Sequence, residues 1–315
     1  MNLTVLKGGS LSSTYLCDDN GVKFIRKHIH LEKNREYGFV RWYSQLKKLQ
    51  RYNNLYPSLF PKVLASDVVM WSAYFDLEYL DGYKDIKTIL SENSTSDYQI
   101  EIMVKALKNA FGVLHESKMR SIPKLPYLYF VEEVEQKLKD AISASKDDFF
   151  NFDEFIYNGK IIRKLDLLEK LREFFLNLSL PYECNIHGNP TLENILYSVE
   201  KNDIKFIDLY EESIIDSPFL DYSQVLQCSS SLYGYINDRD VKVNKNQVSF
   251  EESIPDSFSK FNRYFLDGLE DLDTIKVLEA TQFFRMLPFK CLAGDVDKAK
   301  FFYVHALYLL SEIFN

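Results

Sequence analysis

His187-Gly188-Asn189-Pro190-Thr191-Leu192-Glu193-Asn194-Ile195-Leu196, with Phe206-Ile207-Asp208 after it, is the stretch on which the fold turns. Asn194 stands just before an apolar run, Ile195 to Val199, and Asp208 closes a second run, Ile204 to Ile207. Between the runs Glu200-Lys201-Asn202-Asp203 supplies turn residues, so the segment predicts a β-hairpin. Antiparallel pairing about a turn near Lys201 brings Asn194 and Asp208 side by side. An amide oxygen and a carboxylate then share one small space. Oxygen donors on a rigid element, with room left for water and phosphate oxygens, are what Mg²⁺ prefers. Plain turn chemistry also explains an Asn and an Asp at hairpin edges, and the residues around the pair decide between the two.

The whole string, His-Gly, five residues, Asn-Ile-Leu and then Ile-Asp, resembles the catalytic loop and metal-binding segment of the aminoglycoside phosphotransferase and choline kinase families. These are distant relatives of the protein kinases, and the resemblance extends to kinases encoded with bacterial capsule or surface-polysaccharide enzymes. The resemblance implies that Asn194 and Asp208 hold Mg²⁺ on the nucleotide phosphates, that His187 helps to fix the loop, and that position 189 faces the acceptor hydroxyl. Those families carry Asp at that position, accepting or orienting the hydroxyl proton. Here it is Asn189. A carboxamide is nearly isosteric with a carboxylate, but it has no negative charge and takes up no proton at neutral pH. Three explanations follow: a natural variant that works slowly or differently, a non-catalytic relative, or a deliberate replacement of Asp that traps a complex. Phosphoryl transfer depends mostly on positioning and electrostatics, so the change slows turnover more than it abolishes binding.

If the site is kinase-like, a nucleotide cradle belongs far upstream. Leu3 to Leu6 reads as a short strand, followed by Lys7-Gly8-Gly9-Ser10-Leu11-Ser12-Ser13-Thr14. Gly8 and Gly9 allow close approach of backbone to phosphate, and Ser10, Ser12 and Ser13 can donate hydrogen bonds to its oxygens. A surface turn explains a Gly-Gly-Ser loop as well, and its position in the order of elements is the stronger argument. Asp18-Asp19-Asn20-Gly21 is a turn signal, and Val22 to Lys27 returns as a strand ending in cations. Lys27 shares a strand face with Ile25 and is the preferred partner of the α- and β-phosphates, with Arg26 as the competitor. A helix is predicted over Lys33 to Leu49, with Tyr37, Val40, Leu46 and Leu49 on its apolar face. Glu36 near its start either pairs with the strand cation, as the resemblance suggests, or faces water at a helix N-terminus. Val68 to Met70 and Ala73 to Leu80 read as two more strands, and by resemblance the backbone of Glu78, Tyr79 and Leu80 is a hinge that bonds a purine.

Downstream, Ile100 to Leu114, Phe130 to Ser143 and Ile161 to Leu178 carry helical periodicity. His115 reads as the residue ending its helix, and Ser91 to Ser96 and Asn237 to Ser253 read as polar loops. The run Asp216 to Gln227 offers an N-cap and then a helix, in which the resemblance makes Asp221 structural. Phe258 to Leu266 and Ile275 to Phe314 read as helical, with Phe283, Phe284, Phe301, Phe302, Tyr303 and Tyr308 in the core. Glu211 and Glu212 either face the substrate or form a solvated acidic turn; Arg285 either reaches a substrate anion or is a salt-bridged surface cation.

With 46% hydrophobic and 15% aromatic residues, a chain of 315 residues can bury a sizeable core in two lobes. A net charge of −8 argues against a general nucleic-acid or anionic-membrane binder. Neither an apolar run of membrane-spanning length nor a secretion leader is read, and the four cysteines are far apart, which favours reduced thiols and a cytoplasmic setting. The expected fold is α+β and protein-kinase-like, with an antiparallel-sheet N-lobe over residues 1–82 and a mainly helical C-lobe over 83–315. The resemblance implies ATP and Mg²⁺ as cofactors and a sugar, amino sugar or amino alcohol hydroxyl as acceptor. A nucleotide-binding module without turnover is the alternative.

Overall fold

The computed structural model describes residues 2–6, 12–32, 37–92, 94–250 and 254–314. Strands β1 (Asn2–Leu6), β2 (Ser13–Asp19) and β3 (Val22–His30) lead to helix α1 (Tyr37–Leu55), then β4 (Val63–Val69) and β5 (Ser72–Glu78). The five strands pair antiparallel in the order β1-β2-β3-β5-β4. Asn20 and Gly21, with φ of 54° and 90°, make the β2–β3 turn. A two-residue hairpin turn that matches strand twist needs left-handed backbone at both positions, which Asn-Gly tolerates best.

On α1 the buried stripe is Trp42, Leu46 and Leu49, with Trp42 against Phe75 of β5 at 6.0 Å between rings. Val40 is exposed, contrary to the expected apolar face. Six residues before Leu46 falls about a third of a turn off a stripe set by positions 42, 46 and 49.

After β5 come β6 (Lys84–Asp85), α2 (Ile86–Ser91), α3 (Asp97–Leu114), α4 (Leu125–Phe130) and, across a π-helical turn, α5 (Gln136–Ser145). A hairpin of β7 (Glu154–Tyr157) and β8 (Lys160–Arg163) precedes α6 (Lys164–Asn177). The hairpin expected around Lys201 is β9 (Ile195–Ser198) with β10 (Asp203–Phe206), and β6 adds to the other edge of β9. The rest is α7 (Pro218–Ser229), α8 (Tyr233–Asp238), the hairpin β11 (Lys242–Asn244) and β12 (Gln247–Ser249), α9 (Asp256–Leu266), α10 (Leu272–Leu292) and α11 (Val296–Phe314).

Three expectations need correction. The predicted helix from Ile161 begins only at Lys164, because Ile161 and Ile162 belong to β8, which turns back on β7 through Asn158-Gly159 at φ of 46° and 85°. The polar stretch from Asn237 to Ser253 is not a plain loop: it holds the end of α8 and the β11–β12 hairpin, and β12 runs parallel to β7. The helical region from Ile275 is two helices, broken after Leu292 by Gly294 in left-handed backbone, φ 81°.

The chain divides into two compact units. One contains Met1–Ile89, Lys105–Leu114 and His187–Ser213, that is, the five-stranded sheet, α1, the end of α3 and the β9–β10 hairpin. The other contains Leu90–Val104, His115–Ile186 and Ile214–Asn315 and is mainly helical. Its core centres on α10 and α11, where Phe283, Phe284, Phe301, Phe302 and Tyr303 are fully buried. Tyr308 is half-buried and stacks on Tyr157 at 4.5 Å. All four cysteines are buried and free. Among the described residues no helix is long and apolar enough to cross a membrane.

Candidate active site

The β9–β10 register pairs Phe206 with Ile195, and one step further the Ile207 amide donates to the Asn194 carbonyl at 3.0 Å. Asp208 is therefore the first residue past the ladder, beside Asn194. Its φ of 57° is left-handed, a conformation that Asp tolerates better than most residues and that points the chain away from the strand direction. The Asn194 side chain donates through Nδ2 to the Asn189 carbonyl at 2.9 Å, which leaves Oδ1 as its acceptor for a cation.

His187 is fully buried, with Phe206 at 5.5 Å and Phe60 at 6.5 Å between ring centres. Its Nδ1 accepts the Asn189 amide at 3.1 Å, and its Nε2 lies 2.8 Å from the Ile207 carbonyl. Only the neutral Nε2–H tautomer satisfies both contacts, since a proton on Nδ1 would face the Asn189 N–H. The ring thus ties the segment from His187 to Asn189 to the end of β10. Gly188, at φ 84°, sits where an added Cβ would lie 3.1 Å from Ser213 Oγ and 3.2 Å from the Tyr210 carbonyl.

The two strand cations separate by alternation across β3. Arg26 forms a two-pronged pair with Asp76, Nε to Oδ1 at 2.7 Å and an Nη to Oδ2 at 2.8 Å, and its guanidinium lies over Tyr74 at 4.1 Å. Lys27, on the opposite face, bonds Asp208 Oδ1 and Gln45 Oε1, the latter at 2.9 Å. The structure brings Lys27, and not Arg26, to the hairpin end.

Helix α1 contributes a polar stripe absent from the sequence expectations: Arg41, Gln45 and Lys48, at positions i, i+4 and i+7 of one face. Arg41 pairs with Glu211, Gln45 Nε2 donates to Asp208 Oδ1 at 2.9 Å and to the Leu209 carbonyl at 2.7 Å, and Lys48 donates to the Tyr210 carbonyl at 2.6 Å. Every residue from Asp208 to Glu211 is thereby held from one helix. Periodicity placed a helix here, but a Gln among Lys and Arg residues carries no local mark of a site. Desolvation raises the Asp208 carboxyl, and the charge and hydrogen bond of Lys27, with the bond from Gln45, outweigh it and hold the group below the usual carboxylate range. Its side chain remains 41% exposed, so one face of the carboxylate is open to solvent.

The other predicted residues fall as follows. Gly8, Gly9, Ser10 and Glu36 lie outside the described residues. Ser12 is half-buried, and Ser13 opens β2 opposite His28. The Glu78 amide is bonded to the Lys62 carbonyl at 2.9 Å, while Tyr79 and Leu80 have left the β5 ladder, with Lys23 over the Tyr79 ring at 5.6 Å. The Glu211 side chain is only 2% exposed and paired with Arg41, whereas Glu212 is exposed. Arg285, in the helical unit, bonds Glu133 at 2.9 Å and Gln282 at 2.8 Å. Asp221 faces His115 at 2.9 Å in the same unit.

Asn194 Oδ1 and Asp208 Oδ2 are oxygen donors of the kind a hard divalent cation such as Mg²⁺ takes alongside phosphate and water. Among the described residues no group of three or more His, Cys, Asp or Glu side chains is placed to hold a metal by itself. A solved structure from Haemophilus somnus 129PT, named "Putative fructosamine-3-kinase", matches this chain with a TM-score of 0.54 and 11% identity, over 96% of this chain and 91% of that one. At that identity the likeness concerns the fold, which is α+β and protein-kinase-like, with an antiparallel-sheet N-terminal region and a helical C-terminal region. No protein-family model and no curated protein matches the chain.

Proposed function

We propose that this chain is an ATP- and Mg²⁺-dependent phosphotransferase that moves the γ-phosphoryl group to a hydroxyl of a small molecule, with turnover slowed by Asn189. The observation that carries the reading is the convergence of Lys27, Asn194 and Asp208, up to 181 residues apart, on one hairpin end beside His187 and Asn189. When bound, Mg²⁺ would supply positive charge against the charge that develops on the phosphates during transfer. Lys27 would move onto the α- and β-phosphates, Gly8, Gly9, Ser10, Ser12 and Ser13 would supply further phosphate contacts, and the backbone from Glu78 to Leu80 would lie against the purine. Asn194 and Asp208 would hold the metal. Asn189 can accept a hydrogen bond from the acceptor hydroxyl and so orient it, but takes no proton from it. The acceptor is a sugar, amino sugar or amino alcohol, and the name of the solved neighbour favours a sugar-derived amine. A cytoplasmic location agrees with four buried free thiols.

ATP consumption tests this, measured for the chain and its Asn189→Asp variant against sugars, amino sugars and amino alcohols. The Asp variant should gain turnover by roughly 10²- to 10⁴-fold with one acceptor class, the usual worth of a general base. Asn189 also favours a second reading, a module that binds Mg-ATP without turnover. That reading predicts nucleotide binding and no acceptor-dependent consumption in either form. Absence of both binding and turnover would overturn the two together.

A further inference from the structure

We infer that Gln45 is the positioning residue of the nucleotide–metal site, its carboxamide holding Asp208 by Oδ1 and Lys27 by Nζ at once, so that Oδ2 is presented to the cation. The inference rests on the function proposed above. Three contacts fix the orientation of the amide. Oε1 accepts from Lys27 at 2.9 Å, while Nε2 donates to Asp208 Oδ1 at 2.9 Å and to the Leu209 carbonyl at 2.7 Å. The flipped amide would set a donor against the ammonium and an acceptor against two acceptors. Lys27 bonds the same Oδ1, so among the described residues both contacts fall on one carboxylate oxygen and the other faces the place proposed for the metal.

A side chain with both polarities is what this position needs. The kinase pattern pairs the strand lysine with a helix carboxylate, and a carboxylate here would serve Lys27 well. Its second oxygen would then meet Asp208 Oδ1 and the Leu209 carbonyl, three acceptors with no proton among them, an arrangement that costs free energy on both sides. Gln45 gives the lysine its acceptor without adding a second negative charge beside Asp208. It also rides on a helix whose Arg41 and Lys48 grip the same segment, so its geometry is set by a rigid element.

The test is ATP binding by titration calorimetry as a function of Mg²⁺ concentration, in the wild-type chain, Gln45→Met and Gln45→Glu, at pH about 8, with thermal melts to confirm folding. Both replacements are close in size to Gln. Loss of a hydrogen bond to a charged group should raise the half-effective Mg²⁺ concentration roughly tenfold or more in Gln45→Met. Gln45→Glu, which sets three acceptors together, should be at least as impaired. A merely structural role would lower the melting temperature and leave the Mg²⁺ midpoint of the folded protein unchanged. Midpoints within about twofold of wild type in both variants, or a Gln45→Glu variant that matches or exceeds wild type near pH 8, would overturn the inference while leaving the phosphotransferase reading in place. A wild-type chain that binds no nucleotide at any Mg²⁺ concentration would overturn both.

Discussion

At the scale of single residues, the decisive feature is how the backbone around Asn189 is held, because the proposed function puts this side chain at the acceptor hydroxyl. His187 bonds through both ring nitrogens, and Asn194 is tethered to the Asn189 carbonyl. The backbone at position 189 is therefore set independently of its side chain, which is why Asn189→Asp is expected to change turnover and not architecture. Gly188 is the opposite case, a residue chosen for its backbone. At φ 84°, with Ser213 Oγ and Tyr210 within 3.1 to 3.2 Å of the place a methyl group would take, alanine meets both conformational strain and crowding. Gly188→Ala should destabilise the protein by about 1 to 3 kcal/mol, read from the shift of a urea unfolding midpoint. A change below about 0.5 kcal/mol would mean that the loop relaxes freely, contrary to the packing described.

At the scale of elements, α1 acts as a clamp. Its apolar stripe of Trp42, Leu46 and Leu49 packs into the unit, and the neighbouring stripe of Arg41, Gln45 and Lys48 holds the segment after β10. The Arg41–Glu211 pair buries the acid almost completely, while Arg41 keeps 27% of its side chain exposed. Removing the cation strands a carboxylate out of water, so Arg41→Ala should cost about 2 kcal/mol, below the range for fully buried pairs because solvent reaches this one. Adding Glu211→Gln to that variant should return part of the loss. The check is a double-mutant cycle by urea denaturation, and additive effects of the two changes would rule out the coupling. Elements also show where local signals suffice. Asn20-Gly21 and the turn residues around Lys201 declare their hairpins. Asn158-Gly159 carries the same signal, but the Ile161-Ile162 run leads directly into α6 and merges with its helical periodicity.

At the scale of the whole molecule, the helical unit buries two titratable groups of opposite effect. Burial pushes the Glu279 carboxyl up to about 7, partly offset by the Ser231 hydroxyl at 2.6 Å, and burial pushes His305 down to about 3. Glu279 keeps its proton in the folded state above its ordinary value of 4.5, so its contribution to stability falls as pH rises from about 4.5 to 7. His305 stays neutral when folded below its ordinary value of 6.5, so its contribution falls as pH drops from 6.5 toward 3. Between about pH 4.5 and 6.5 the two slopes oppose, each on the order of 1.4 kcal/mol per pH unit. Glu279→Gln removes one of them. That variant should lose stability on acidification below about pH 6.5 more steeply than the wild type, in urea midpoints taken from pH 7 to 4.5. Equal slopes in the two proteins would contradict this account.

The sequence by itself determined what short-range patterning can determine: the α+β class, the strand order leading to a cation at Lys27, and the β9–β10 hairpin that sets Asn194 beside Asp208. Period-two and period-3.6 alternation, turn residues and caps act over a few residues, and the structure follows them within a few positions at most boundaries. Tertiary structure alone decided which groups meet. Lys27 and Arg26 are neighbours on one strand, and only pairing of β3 with β5 sends Arg26 to Asp76 and leaves Lys27 facing Asp208. Gln45 reads as an ordinary helix residue until contacts across 163 and 164 residues place it on Asp208 and Leu209. Glu211 reads as a substrate-facing or solvated charge until Arg41, 170 residues away, closes over it. A side chain's chemistry is written in its own letter. Its partners are set by which distant surfaces pack together, and that depends on the summed burial of the whole unit.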